Sequence, residues 1–417
     1  MENKLQSLLD KEGLDQFKLR CYCYSRHFKH AMILDSCELD SGVYKGNYEF
    51  IAAFGSNNLI TTLDGLLQLE KNWVFGILPY DLKNRMEDLQ SQNPSYLNQE
   101  EVSFFIPTTV LTIDREGMLI VQSGSLKEFF YEQVQRPPHL LENLKRVNPL
   151  VKEDYLSRVE NIKELIRDGE VYELNYTLEH QYEFSEFDSL AFHIDLIERS
   201  PVPMASYFKY ENKELCGASM ERFLAKNEER VVSQPIKGTI RKGKDEQEDK
   251  ELITALYQSV KDRAENVMIV DLVRNDLSRI CKTGTVSVDE LFGIYSYLQL
   301  HQMISTISGE LDSNNLSEIM QACFPMGSMT GAPKIAAMQS IEELENYKRG
   351  WYSGALGYID PNNNFDFNVV IRSLICQHGE KKISYSAGGA ITIDSIAENE
   401  WLECLLKTQA IEKILNP

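Results

Sequence analysis

The sequence lacks any run of about eighteen apolar residues, the length that a membrane-spanning helix needs. It also lacks a Cys-x-x-Cys pair, and its eight cysteines are scattered, which excludes a patterned zinc site or a disulfide framework. No repeat period, low-complexity tract or long linker is visible. The N-terminal residues are polar and unlike a secretory signal, and scattered cysteines are typical of reduced core residues, so we expect a cytoplasmic protein.

Basic residues are few relative to acidic ones. Lysine and arginine number 43 against 63 aspartates and glutamates, so the formal charge is −20. A surface this negative repels polyanions, so neither nucleic acid nor an acidic membrane face is an expected partner. Hydrophobic residues at 43% and charged residues at 25% are ordinary for a folded protein and exclude extensive disorder.

The apolar pattern changes near residue 150, which divides the chain into an N-terminal part, residues 1–145, and a second part, residues 150–417. The first part reads mainly as short strands and turns. In the second part, periodicity predicts helices over 152–167 and 397–415 and strands over 171–184, 354–359, 365–376 and 382–393. Strands that pair locally through short turns, beside long helices, predict an α+β fold.

Two pairs of acids lie three residues apart: Asp262 with Glu265, and Glu400 with Glu403. On helices this spacing brings both members of a pair onto one face, one turn apart. Two such faces turned toward each other would offer carboxylate oxygens, which Mg²⁺ prefers. Acids are also common on exposed helix faces, so the spacing alone leaves a metal site and a solvated surface both open.

Two turns of small residues are suited to approach an anion closely. Residues 324–334 (FPMGSMTGAPK) contain Gly327 and Ser328 and precede a helical pattern, so free amides and a helix N-terminus meet there. Residues 386–390 (SAGGA), with Gly389 and Ala390, form the second turn. The Gly-Lys-Ser/Thr order of a nucleotide-binding loop is absent, so a carboxylate fits as well as a phosphate.

Four more side chains are candidates for chemistry. If residues 365–376 form one strand, Arg372 shares a face with Val370, where it is either half-exposed or binds an anion in bidentate fashion. Tyr352 adds a phenolic donor ahead of the preceding strand. His301 lies in an apolar segment and fits either a core residue or a catalyst. Lys237, between proline and glycine at a strand end, is a nucleophile only if its pKa is depressed.

The order of six motifs along the chain resembles the chorismate-utilising enzymes. The motifs are PIKGTIRKG, DLVRNDLSRI, FPMGSMTGAPK, RGWYSGALGY, NVVIRS and AGGAITIDS followed by ENEWLE. The resemblance covers residues 150–410 and extends more loosely to 32–36, 73–76 and 80–81. It implies one large α/β sandwich of antiparallel sheets flanked by helices, and so overrides an expectation of two or three domains drawn from length.

The resemblance also implies a role for each matching residue. Glu265 and Glu403 are the direct Mg²⁺ ligands that it implies, with Asp262 and Glu400 as outer companions. Tyr352 and Arg372 would hold the enolpyruvyl carboxylate of chorismate. The further positions that it assigns to the substrate are Thr239, Gly327, Ser328, Gly389 and Ala390; those that it assigns to catalysis are Lys237, Glu173 and His301, the last as a general acid near the departing hydroxyl.

Lys237 favours one reaction within the family. Members with lysine at this position attack ring carbon 2, after which ammonia adds at ring carbon 4; members with alanine aminate carbon 2 directly. The chain lacks a Gly-x-Cys-x-Gly glutaminase motif, so we expect ammonia from a glutamine amidotransferase subunit. Amination of carbon 2 and a non-catalytic chorismate-binding chain remain the alternatives.

Three positions depart from the family pattern. Residues 172–175 read Tyr-Glu-Leu-Asn, where family members often read Tyr-Gln-x-Asn. Water-using members carry a lysine base at the position of Glu173, which counts against the use of water, although a carboxylate can still accept a proton. Asn266 replaces a histidine that often follows the first metal glutamate, and this changes the surroundings of the ligands while leaving them intact. Ala390 replaces a glycine and is small enough to keep the turn.

Overall fold

The computed structural model of the chain describes residues 2–39, 46–69, 71–98, 100–122, 124, 126–298 and 300–416. Within these ranges no helix is both long and apolar enough to cross a membrane. The helices are α1 Glu2–Glu12, α2 Leu14–Ser25, α3 Leu63–Leu67, α4 Lys83–Met86, α5 Lys152–Arg167, α6 Ser189–Arg199, α7 Glu246–Gln258, α8 Val260–Ser278, α9 Leu316–Cys323, α10 Lys334–Leu344 and α11 Ala397–Leu415.

Strands make up the rest of the framework. They are β1 His30–Asp35, β2 Tyr48–Phe54, β3 Asn58–Ile60, β4 Val74–Leu78, β5 Ser103–Ile106, β6 Thr109–Asp114, β7 Leu119–Gln122, β8 Leu141–Glu142, β9 Lys145–Arg146, β10 Glu173–Glu183, β11 Glu186–Phe187, β12 Met204–Tyr210, β13 Lys213–Ser219, β14 Arg222–Asn227, β15 Arg230–Gln234, β16 Ile236–Arg241, β17 Ser287–Ser296, β18 Leu300–Glu310, β19 Gly331–Ala332, β20 Ala355–Ile359, β21 Phe365–Val369, β22 Ser373–Gln377 and β23 Lys382–Ile391.

Two large antiparallel sheets contain nearly all of these strands. The first has the order β19-β10-β23-β22-β13-β12-β1-β2-β6-β7, with β9 also paired to β10. The second has the order β16-β18-β15-β14-β21-β20-β4-β5-β3, with β17 also paired to β18. Strands from the N-terminal 145 residues enter both sheets beside strands from the second part. The α+β class and the antiparallel sandwich are confirmed.

Three apolar layers hold the two sheets and their helices together. The layer between the sheets joins Met32 and Ile51 of the first sheet to Phe75, Ile77 and Leu356 of the second, all nearly or fully buried. A second layer packs α1, α2 and α6 on the outer face of the first sheet. A third packs α8 and α9 on the outer face of the second. Alternation of side chains along each strand places apolar residues on both faces of each sheet. One face packs against the other sheet, and the opposite face packs against helices.

The helices predicted over 152–167 and 397–415 are confirmed as α5 and α11. The prediction of one strand over 365–376 is wrong. Residues 370–372 leave the second sheet after β21 and enter the first at β22, and Arg372 takes a φ of 50° in this crossover. The alternation argument that placed Arg372 on one face with Val370 therefore does not apply. The helices α1 and α2 were not predicted, because α2 buries polar residues such as Lys18 and Arg20 that obscure its periodicity.

Glu412 near the end of α11 ties this helix to three strands. Its carboxylate accepts hydrogen bonds from Arg146 at 2.9 Å, from Tyr182 at 3.2 Å and from Tyr385. Burial alone would raise its pKa, but hydrogen bonds from His180 and Tyr385 and the charge of Arg146 lower the pKa to about 2. The ionised carboxylate is therefore part of the folded state.

We expect Glu412→Gln to lower the free energy of unfolding by about 1–3 kcal/mol at pH 7, because buried donors lose a charged acceptor. The folded pKa lies below the unfolded value near 4.5, so this stabilisation is present above pH 4.5 and is lost as the pH falls toward 2. Urea denaturation at several pH values measures the difference. Glu398→Gln, on the exposed face of α11, is the control, and equal effects of the two variants would contradict the assignment.

Candidate active site

A cavity of about 670 Å³ collects most of the residues that the sequence singles out. The predicted residues on its wall are Lys237, Thr239, Asp262, Glu265, Ser328, Tyr352, Arg372, Gly389, Ala390, Glu400 and Glu403. They come from β16, α8, the turn before α10, the segment before β20, the crossover before β22, β23 and α11. Residues as far apart in sequence as 237 and 403 therefore share one site.

The four acids enter this cavity from two helices. Asp262 and Glu265 lie in the first two turns of α8, which begins after Ser259, whose hydroxyl accepts a hydrogen bond from the Asp262 amide at 3.2 Å. Glu400 and Glu403 lie one turn apart near the start of α11. The predicted helical spacing thus places each pair on the cavity side of its helix. The N-terminal turns of both helices border the cavity.

The acids differ in their electrostatic surroundings. Burial raises the pKa of Glu265 to about 7, against the opposing charges of Lys237 and Lys261. Its Oε1 atom is buried and accepts no hydrogen bond. Glu403 has a lowered pKa, mainly because Lys407 lies 2.7 Å from its Oε1 atom, and this outweighs burial. Lys261 bridges the two helices, 3.8 Å from Glu265 and 3.6 Å from Glu400.

The donor set of these acids fits Mg²⁺ in its chemistry. Carboxylate oxygens are its preferred ligands, and the buried Oε1 atom of Glu265 accepts no hydrogen bond from the described residues, with the Lys261 ammonium 3.8 Å away. Within the described residues, no group of three or more acidic, histidine or cysteine side chains is arranged so that it could hold a metal ion. Mg²⁺ commonly binds through one or two carboxylates and keeps several waters, so Glu265 and Glu403 are the two acids that could hold it.

Arg372 lies in the crossover before β22 and turns into the same cavity. Among the described residues its guanidinium makes no hydrogen bond or ion pair, whereas Arg349 and Arg222 are each paired with a carboxylate. Burial lowers the pKa of Arg372, although the charge of Glu403 opposes this. Tyr352, 4% exposed, has a raised pKa because it is buried, so it stays a neutral donor. The half-buried guanidinium of Arg372 and the hydroxyl of Tyr352, neither of them paired with a described carboxylate, form a site for an anion.

Lys237 faces the cavity from an irregular part of β16. The register with β18 shifts between Ile236 and Thr239, and Gly238 has a φ of 97°. A Cβ atom at Gly238 would lie 3.1 Å from the Asp262 Cβ, so glycine lets β16 approach α8 closely. The Lys237 ammonium donates to Glu173 at 2.6 Å.

The electrostatic environment raises the pKa of Lys237. Burial lowers it, but the carboxylates of Glu173, Glu265 and Glu221 together outweigh burial. From the sequence, Lys237 was expected to act as a nucleophile only if its pKa were lowered. In the structure its pKa is raised instead. The amine must therefore give up a proton before it can attack.

Glu221 and Asn175 line the cavity and were missed by sequence reasoning. Glu221 lies between β13 and β14 and accepts a hydrogen bond from the Ser328 hydroxyl. Burial raises its pKa to about 7, against opposing effects of Ser328 and Lys237. In the sequence, the only indication for Glu221 is that an acidic residue stands between two apolar strand segments. That Glu221 faces Lys237 is evident only from the fold.

His301 lies outside the cavity wall. It is fully buried in β18, with its ring 2.9 Å from Asp249 and 2.7 Å from Ser296. Because side chains alternate along a strand, the next residue, Gln302, faces the cavity instead. This geometry gives no support to a general-acid role for His301. Gly327 is also absent from the wall, although its neighbour Ser328 is present.

The prediction of a turn at residues 386–390 is wrong, because these residues lie inside β23 and pair with β10. This glycine segment of β23 lies against the acids of α11. A Cβ atom at Gly389 would lie 3.4 Å from the Glu403 Oε1 atom and 3.5 Å from the Lys407 Nζ atom. Lys407 also donates to the Gly388 carbonyl at 2.8 Å. The backbone thus borders the carboxylate cluster, because glycine in a strand lets other groups approach the backbone closely.

Comparison with known proteins agrees with this geometry. The family described as chorismate binding enzyme matches residues 29–413. The chain therefore belongs to the chorismate-binding enzymes. Anthranilate synthase component I from Streptococcus pneumoniae TIGR4 has the same fold, with a TM-score of 0.73 at 24% identity over 93% of this chain and 92% of that one.

The similar proteins are named for more than one enzymatic activity. Aminodeoxychorismate synthase of Arabidopsis thaliana is 43% identical over 264 residues, 62% of this chain and 28% of that protein. Aminodeoxychorismate synthase component 1 of Escherichia coli is 32% identical over 347 residues, 82% of this chain and 76% of that one. Anthranilate synthase component 1 of Saccharolobus solfataricus is 31% identical over 418 residues, 94% of each. The chain spans less than a third of the plant synthases that it matches.

We expect Mg²⁺ to raise the melting temperature of the chain by about 1–3 °C at ten times its Kd, because a ligand of the folded state stabilises it by about 1.4 kcal/mol. Glu403→Gln should lose most of this rise, since a carboxylate ligand becomes a neutral amide. Glu343→Gln, an exposed acid on α10, is the matched control. An undiminished rise in Glu403→Gln would remove Glu403 from the metal site.

Proposed function

We propose that the chain is component I of an aminodeoxychorismate synthase, which uses Mg²⁺ and ammonia to convert chorismate into 4-amino-4-deoxychorismate. The observation that carries this proposal is Arg372, which is half-buried, makes no ion pair with any described residue and lies in the same cavity as the carboxylates of α8 and α11. Chorismate carries two carboxylates, which need two separate positive partners. The family membership and the aminodeoxychorismate synthase relatives support the same substrate.

The two carboxylates bind at opposite parts of the cavity wall. Arg372 and the Tyr352 hydroxyl bind the enolpyruvyl carboxylate, because they are the positive and neutral donors without a carboxylate partner. The ring carboxylate faces Glu265 and Glu403, the two acids that would hold Mg²⁺. Mg²⁺, when bound, offsets the charge that the ring carboxylate brings into an acidic cavity.

Lys237 supplies the nucleophile. Its neutral amine forms a bond to ring carbon 2, the two ring double bonds each move by one position, and the electron pair of the C4–O bond leaves with the hydroxyl. Ammonia then bonds to carbon 4, the double bonds return, and the lysine nitrogen leaves carbon 2. The net change is chorismate plus ammonia giving the 4-amino product plus water. The pyruvyl group stays on the ring, so a separate lyase releases 4-aminobenzoate for folate synthesis.

Ammonia comes from a glutamine amidotransferase subunit in this proposal. The chain carries no Gly-x-Cys-x-Gly motif of its own, and the Escherichia coli relative is named as component 1 of its synthase. All eight cysteines are free and distributed through the fold, which fits the cytoplasm as the compartment.

The second candidate is anthranilate synthase component I. The observation in its favour is the match to the Saccharolobus solfataricus protein across 94% of both chains. Lys237 favours the first candidate, because an amine beside the ring is suited to the covalent step that amination of carbon 4 requires. The buried Glu173 favours neither, but it disfavours a water-using isochorismate synthase, whose lysine base it replaces.

Product identification tests the proposed function. With chorismate, Mg²⁺ and ammonium, we expect the purified chain to form 4-amino-4-deoxychorismate, which a 4-amino-4-deoxychorismate lyase converts into 4-aminobenzoate. Mass spectrometry and fluorescence of the separated products give the measurement. Formation of 2-aminobenzoate without the lyase would establish the second candidate instead.

A pair of lysine variants controls this experiment. Lys237→Ala should lose the 4-amino product by at least about a hundredfold, since the covalent step is removed. Lys250→Ala, at an exposed position on α7, should keep it. Full activity of Lys237→Ala would contradict the role of Lys237.

A further inference from the structure

The ion pair between Lys237 and Glu173 is the closest charged contact of the proposed nucleophile. The Nζ atom of Lys237 lies 2.6 Å from the Oε1 atom of Glu173, and their side chains are 9% and 1% exposed. This is the only hydrogen bond that the ammonium makes within the described part of the chain. The Oε2 atom of Glu173 is buried and has no partner. One carboxylate thus contacts the reacting nitrogen and keeps an unused acceptor atom.

The pair creates a chemical conflict for the proposed reaction. Attack needs the neutral amine, but the carboxylates that face Lys237 hold it as an ammonium: Glu173 from β10, Glu265 from α8 and Glu221 from the β13–β14 connection. Water is a poor acceptor here, because the lysine is nearly buried. A proton has to leave Nζ toward a carboxylate that already touches it.

We propose that Glu173 accepts the proton of Lys237 when chorismate is attacked, an inference that rests on the proposed function. The proton moves from Nζ to Oε1 of Glu173, and the freed electron pair forms the bond to ring carbon 2. The C4–O electron pair leaves with the hydroxyl, which takes a proton from solvent and departs as water. When ammonia bonds to carbon 4, the double bonds return and the lysine nitrogen leaves carbon 2. The extra proton of the added ammonia is lost to solvent, and the lysine recovers its own proton from Glu173.

Burial favours this transfer over a transfer to solvent. Moving one proton within the pair converts two buried charges into two neutral groups, which an apolar environment tolerates better. A bound substrate excludes water from the cavity and strengthens this preference. Glu221 is less suited, because it already accepts the Ser328 hydroxyl, and Glu265 faces the proposed cation.

Glu173→Gln tests the inference with little change in shape. The amide keeps an oxygen that accepts a hydrogen bond from Lys237, so the amine stays oriented, but it cannot take a proton. In the wild type the proton moves within the pair, and kcat should be nearly independent of pH between about 7 and 9. In the variant Lys237 must release its proton to solvent, so kcat should fall at least a hundredfold at pH 7.5 and rise about tenfold per pH unit.

Two further variants complete the test. Glu170→Gln, at an exposed position just before β10, should keep the wild-type profile, and Glu173→Asp should restore part of the flat profile. A Glu173→Gln variant with wild-type kcat, or with a kcat lowered equally at every pH, would overturn the inference. If the wild type makes no 4-amino-4-deoxychorismate at all, the proposed function has failed instead, so the two failures are distinguishable.

Discussion

Charges of opposite sign share one buried cavity, and the rest of the site depends on how they are kept apart. Four carboxylates enter from the first turns of α8 and α11, while Arg372 enters from the crossover before β22 and pairs with none of the described carboxylates. A direct pairing of Arg372 with these acids would neutralise both and leave no anion site. The separation leaves a guanidinium for one carboxylate of a dianion and an acidic cluster that requires a cation before it can accept the other.

The two-sheet fold produces this separation. β21 and β22 are consecutive in sequence but belong to different sheets, so residues 370–372 must cross between them at the cavity. Gly238 allows β16 to approach α8, and the glycine segment within β23 borders α11. The same backbone that closes the sandwich therefore positions the lysine, the arginine and the acids without a dedicated loop.

Local periodicity was enough to predict part of the site. The three-residue spacing of the acids required only that α8 and α11 be helices, and both are. The crossover at Arg372 could not be predicted, because a change of sheet depends on distant partner strands. His301 and Gln302 show the same limit, since alternation assigns them to opposite faces but only the partner strands decide which face borders the cavity. The contact of Lys237 with Glu173 joins residues 64 positions apart and leaves no local signal.

Calorimetric titration of chorismate, without ammonia and with or without Mg²⁺, tests the central claim most directly. If the cation and the guanidinium hold the two carboxylates of one molecule, Mg²⁺ should strengthen chorismate binding at least tenfold, and chorismate should strengthen Mg²⁺ binding by the same factor. Equal affinity for chorismate with and without Mg²⁺ would show that the acidic cluster and the anion site act independently, and would contradict the account.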